Sequence, residues 1–111
     1  MTDDQKEIVS HFKQAVNMTS SQMEKWLDTD ESNSVGQKTS EGAESTGHHS
    51  GKRIAQILEK KPTDYTEGDF AQMQRVNSDV ARHLAQRPGG DIERAPWRYS
   101  LMNWGHDPQK T

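Results

Sequence analysis

Three features of the chain predict an all-α fold, a compact bundle of four to five helices. Apolar side chains recur at helical spacing, capping residues stand ahead of those stretches, and no segment alternates with the period of two that a half-buried strand needs. The first helix is predicted over Asp3 to Val16, where Ile8, Val9, Phe12 and Val16 share one stripe and Thr2 with Gln5 makes a capping box. A second runs from Ser20 to Leu27. Thr19 caps it, Gln22 sits at N3, Met18 staples to Met23, and Met23, Trp26 and Leu27 face inward. The third is expected from Lys52 to Lys60, with Ile54, Ile57 and Leu58 inward, Ser50 as its cap and Pro62 beyond its end. The fourth, Glu67 to Gln86, aligns Phe70, Met73, Val76, Val80 and Leu84, with Thr66 and Asp69 at its cap, Tyr65 stapled to Phe70, and Arg75, Asp79 and Arg82 at pairing distance. Pro88-Gly89-Gly90 ends it. A short last helix is predicted from Pro96 to Trp104, with Pro at its first position, Gly105 as the left-handed residue after its last turn, and Trp97, Leu101 and Trp104 inward.

Between the second and third helices, residues 28–51 hold Val35 as their only sizeable apolar side chain. This long Gly/Ser-rich polar loop is expected to be partly disordered, with ordering against a partner as the alternative. The 111 residues fit a single helical domain. Val, Ile, Leu and Phe supply only 15 of them, so the core is thin and the five Met and three Trp must complete it. The absence of cysteine excludes disulfides and thiolate metal sites. No apolar run approaches the roughly 20 residues of a membrane span, and the start MTDDQKEIVS lacks a signal-peptide pattern. A soluble intracellular protein is expected, cytoplasmic, or nuclear in a eukaryote, without membrane contact.

Charge is unevenly divided. Met1 to His49 has 4 Lys against 9 Asp/Glu, a balance of -5, whereas Ser50 to Thr111 has 10 Lys/Arg against 8 Asp/Glu, a balance of +2. The stretch Gly47-His48-His49-Ser50-Gly51-Lys52-Arg53 resembles a phosphate-binding loop, but its glycines are separated by three residues instead of four, Arg53 replaces the magnesium-holding Ser or Thr, and no apolar strand precedes it. A nucleotide hydrolase is excluded. With the third helix starting near Lys52, Lys52 and Arg53 fall in its first turn, where the helix dipole disfavours cations. An anion held by the Gly51 N–H and both side chains would relieve that conflict, as would Asp30, Glu31, Glu41 or Glu44 folding back.

The five histidines show no zinc spacing, and Asp28 to Gly36 lacks the glycine and final Glu of a calcium loop, so no metal and no cofactor are expected. His83 reads as a core-edge residue donating to a carbonyl. Ser, Thr and paired carboxylates are concentrated in the polar loop, where nothing holds a nucleophile and base in register, so no enzyme is expected. The third and fourth helices have helix-turn-helix proportions, yet the fourth begins Glu67-Gly68-Asp69, which phosphate repels. Any DNA contact would run instead through Gly51, Lys52, Arg53, Arg82, Arg87 and Arg98, by phosphate contacts without base readout.

The runs VNMTSSQMEKWLDTDESNSVGQK, ESTGHHSGKRIAQIL and RYSLMNWGHDPQK carry a resemblance across most of the chain. They resemble a family of small uncharacterised bacterial and fungal proteins, a domain of unknown function of which some members bear an automatic DNA-binding label. The resemblance implies that the glycine-serine stretch belongs to the motif and is ordered in at least one state. It brings no catalytic residues. The leading expectation is a non-enzymatic small protein that binds DNA or another polyanion weakly. The alternative is a protein-interaction or self-associating module, a protein partner or homodimer meeting Trp97, Tyr99, Met102 and Trp104.

Overall fold

The computed structural model describes residues 1–35 and 46–110. Every element among them is helical: α1 (Asp3–Ala15), α2 (Ser20–Leu27), α3 (Asp30–Ser34), α4 (Thr46–Glu59), a 3-10 turn at Pro62–Asp64, α5 (Glu67–Ala85) and α6 (Pro96–Asn103). Three of them open with reciprocal capping boxes, Thr2 with Gln5, Thr19 with Gln22 and Thr66 with Asp69. Each satisfies two backbone N–H groups that the helix leaves without an internal partner. Tyr65 meets Phe70 edge-on at 5.9 Å between ring centroids, the staple expected ahead of α5. Beyond α6, Gly105 takes φ +88°, as a left-handed terminal residue.

Two differences fall inside the stretch expected as a polar loop. Residues 30–34 form α3, a single turn capped by Thr29, whose Oγ1 accepts from the Ser32 N–H at 3.1 Å. More consequentially, α4 begins at Thr46, six residues ahead of the expected start at Lys52. The physical reason lies in Gly47 and Gly51, which stand one turn apart on one helix face. A Cβ on Gly51 would lie 2.7 Å from the Asn103 carbonyl oxygen and 2.7 Å from Leu27 Cδ2, and one on Gly47 would lie 3.4 Å from Trp104 Nε1. Glycine costs a helix about 1 kcal/mol relative to alanine. Here its missing side chain lets α4 close onto α2 and the end of α6. Ser50 is accordingly not a cap: it is buried within α4 and accepts from Gln72 Nε2 at 2.6 Å. The remainder of the expected loop, 36–45, including Glu41 and Glu44, lies outside the described residues.

The helices pack in two pairs bridged by α6. α1 and α5 run parallel, because Met1 and Gln5 line the same recess as Glu67 and Phe70, and Asn77 Nδ2 farther along donates to the Ile8 carbonyl at 3.2 Å. α2 and α4 run antiparallel, with Ser20 Oγ donating to the Ala55 carbonyl at one end and Leu27 against Gly51 at the other. Val9, Phe12, Met23, Ile54, Ile57, Met73, Val76, Val80, Leu101 and Trp104 join in one core. Leu84, expected inward, is 40% exposed. The Ile8–Asn77 register sets Ala15, the last residue of α1, level with Leu84, so α1 does not continue past that side chain to cover it.

Gly51→Val should force apart α4, Leu27 and the Asn103 backbone and cost about 1–3 kcal/mol, the usual range for overpacking. Gly89→Ala, with nothing within 4 Å of the new Cβ, should stay within about 0.5 kcal/mol. Urea unfolding midpoints of the two variants check the contrast.

Candidate functional site

The specific residues of the chain converge first on a buried polar junction. Asn103, at 1% exposure, ends α6 beneath α2, α3 and α4. Its Oδ1 accepts from Trp26 Nε1 at 2.8 Å and from Ser32 Oγ at 2.6 Å, while its Nδ2 donates to the Ser32 carbonyl at 3.1 Å. The indole N–H can only donate, which fixes the orientation of the amide. Close by, His48 Nε2 stands 2.7 Å from the Leu27 carbonyl and donates to it. The chain after Asn103 then threads back to the α1–α2 turn. The Gly105 carbonyl accepts from the N–H groups of Asn17 and Met18, and Asn17 exchanges hydrogen bonds of 2.9 and 2.8 Å with the Asp107 backbone. His106 Nδ1 donates to the Ala15 carbonyl at 2.7 Å. These bonds tie α2, α3, α4, α6 and the α1–α2 turn together within the chain.

The basic residues expected to hold an anion are not brought together. Gly51, Lys52 and Arg53 lie in the second turn of α4, past the four N–H groups that a helix start leaves open. Their expected position at that terminus is therefore corrected, along with the dipole conflict that suggested an anion. Arg53 faces the Asp69 carboxylate at 3.8 Å, and Lys60 Nζ donates to the same group at 2.8 Å. Arg82 pairs with Asp79, which Arg75 also approaches at 4.0 Å. Arg87 stacks over the Trp97 ring at 5.8 Å, and Arg98 donates through Nε and Nη2 to the two Asp107 oxygens at 3.1 Å each. Asp69 and Arg82 are 13 residues apart on α5. That is about 20 Å along the axis at about 1.5 Å per residue, so the two groups of cations sit at opposite ends of the helix.

The aromatic surface proposed near the C-terminus is also largely internal. Met102 and Trp104 are buried, which corrects their assignment to a partner surface. Trp97 and Tyr99 are half-buried: the Trp97 indole N–H donates to the His83 carbonyl at 2.7 Å, and Tyr99 packs on Trp26 at 5.5 Å. His83 Nδ1 in turn donates to the Asp79 carbonyl at 2.8 Å, as its core-edge position predicted.

Among the recesses of the described surface is a groove of about 420 Å³ between α2 and α4. Leu27 and Ala55 make its floor, and Glu24, Asp28, Lys52, Gln56 and Glu59 line its sides. The sequence reading missed it. The available signals were the Glu24–Asp28 step of four residues on α2 and the Lys52–Gln56–Glu59 steps of four and three on α4, which set each series on one helix face. Finding the groove also required the α2–α4 pairing. Among the described residues, no group of three or more His, Asp or Glu side chains is placed to hold a metal ion, and no helix is long and apolar enough to cross a membrane.

A family model described as a protein of unknown function (DUF3140) matches residues 11–102. The chain belongs to this family. No curated protein and no solved structure matches it. The DUF3140 match takes in Trp26, Ser32, Gly47 and Gly51 and stops one residue short of Asn103, so most of the buried junction lies within the family's span.

Asn103→Leu would strand the Trp26 N–H, the Ser32 hydroxyl and the Ser32 carbonyl, each at about 1–3 kcal/mol for a buried unsatisfied group. We expect a loss of about 3 kcal/mol or more by urea unfolding, against less than about 1 kcal/mol for the exposed Asn33→Leu.

Burial alone would raise the Asp69 carboxyl, but the hydrogen bond from Lys60, those from Thr66 and the Lys60 charge hold it below its ordinary value. Asp107 is likewise pushed up by burial and brought below its ordinary value by Arg98, the Gln109 N–H and His106. A carboxyl depressed in the folded state adds stability above its unfolded value of about 4, and that stability is lost as pH falls through the folded value. Unfolding free energy should therefore drop below about pH 4, and Asp69→Asn with Asp107→Asn should flatten that drop. An unchanged acid limb in the double variant would contradict the assignment.

Proposed function

We propose that this protein is a non-enzymatic protein-interaction module. The observation that carries the reading is the α2–α4 groove, where three carboxylates and one ammonium surround an apolar floor. That balance repels phosphate and attracts cationic groups. The engagement of Arg53, Arg82 and Arg98 by Asp69, Asp79 and Asp107 supports the same choice, because a phosphate would have to displace a carboxylate already in place.

A second reading, weak binding of DNA or another polyanion through phosphate contacts, is favoured by one local feature. Arg75 and Arg82 share the single carboxylate of Asp79 while their side chains remain 57% and 65% exposed, leaving net positive charge on the outer face of α5.

Photo-crosslinking residues placed at the exposed positions Gln14, Gln56 and Gln86 separate the two readings in cells. The interaction reading expects protein adducts at one or more of these positions, identifiable by mass spectrometry. Nucleic-acid adducts alone, centred on Gln86 and weakening steeply as salt is raised, would overturn it in favour of the polyanion.

A further inference from the structure

The chemistry of the α2–α4 groove narrows the kind of partner it fits, and this step rests on the interaction reading above. We infer that the groove seats a basic amphipathic helix of a partner protein. α2 and α4 lie antiparallel, with Ser20 against Ala55 and Leu27 against Gly51, so the surface between them is a furrow bounded by two helical ridges. A third helix packs into such a furrow by its own ridge of side chains. The two sides of this one differ in a way that orients the occupant. Glu24 stands on α2 and Asp28 caps its C-terminal end, four residues on. On α4, Lys52 lies toward the Leu27 end, whereas Glu59 lies at the Ser20 end, where its Oε1, 3.1 Å from Ser20 Oγ, shares that hydroxyl's one proton with the Ala55 carbonyl.

Two carboxylates one turn apart therefore line the α2 side, and a third stands on α4 at the Glu59 end. An occupant helix with Lys or Arg one turn apart along one flank meets Glu24 and Asp28, and a further cation on its other flank meets Glu59. Between the flanks, a small or apolar residue rests on Leu27 and Ala55. Those two floor residues are themselves nearly buried, at 6% and 5% exposure, so they offer little apolar area to cover. Charge thus dominates the recognition, and binding should be weak and sensitive to ionic strength. A nucleic acid fails the same criteria, since its phosphates meet the three carboxylates.

The test uses the full-length, isotope-labelled protein and a synthetic amidated helical peptide of Leu, Ala and Lys, with the same peptide carrying Glu in place of Lys as the control. The Lys peptide should shift the amide resonances of Glu24, Asp28, Gln56 and Glu59, and the Glu peptide should not. Glu24→Gln with Glu59→Gln should weaken binding at least about fivefold, and so should raising salt from roughly 0.05 to 0.5 M. No shift with the Lys peptide, shifts confined to other surfaces, or affinity unchanged in the double variant would overturn the inference. Shifts at the same residues on concentrating the protein alone would overturn it as well, by making a second copy the occupant. Protein adducts in cells at Gln14 or Gln86 would leave the interaction reading standing in any of these cases.

Discussion

The side-chain amide of Asn103 is the constraint on which the rest of this small fold depends. With few large aliphatic residues to bury, the chain cannot hold its helices together by apolar contact alone. It places one amide at the meeting point of α2, α3, α4 and α6, and satisfies it with Trp26 and both polar groups of Ser32. In a low-dielectric interior such a set is stabilising only when every member is paired. The pairing also specifies arrangement: α3, a single turn with no stripe of its own, is located by Ser32.

Close approach follows from the same constraint. Asn103 can reach Ser32 and Trp26 only if the end of α6 lies against α4, and the side chains absent from Gly47 and Gly51 permit that contact. The next residues complete the closure. The Gly105 carbonyl and the reciprocal Asn17–Asp107 bonds tie the chain after α6 to the α1–α2 turn, adding to the direct α4–α5 bonds of Ser50 with Gln72 and Lys60 with Asp69. Electrostatics are settled mostly within the molecule, by Asp69, Asp79 and Asp107 each taking up arginine or lysine. The acidic α2–α4 groove is one place where the described surface departs from that balance.

The helical class, the span of α2 and the three capping boxes were legible in the sequence because they rest on local rules of periodicity and hydrogen bonding. The start of α4 was not. Gly47 and Gly51 carry a loop signal when read for conformational freedom, and a packing signal only when the partner face is known. Placing Lys52 and Arg53 at a helix terminus followed from that one boundary, and so did the anion site built on it. Leu84 shows a different limit: its helical spacing matched the buried stripe, but its exposure depends on where α1 ends relative to α5. The groove at Glu24, Asp28 and Glu59 depended likewise on a pairing between helices that no single segment encodes.

Both the interaction reading and the surface assigned to it presuppose a frame rigid enough to hold α2 and α4 in fixed register, and the Asn103 junction supplies that rigidity. Hydrogen exchange of the Trp26 indole N–H tests this most directly, since that proton is the donor to Asn103 Oδ1. Its exchange should require global unfolding, with the same free energy and urea dependence as the slowest core amides of α5. Exchange through a local opening, fast and independent of urea while the α5 amides stay protected, would show that the junction can part without loss of the fold.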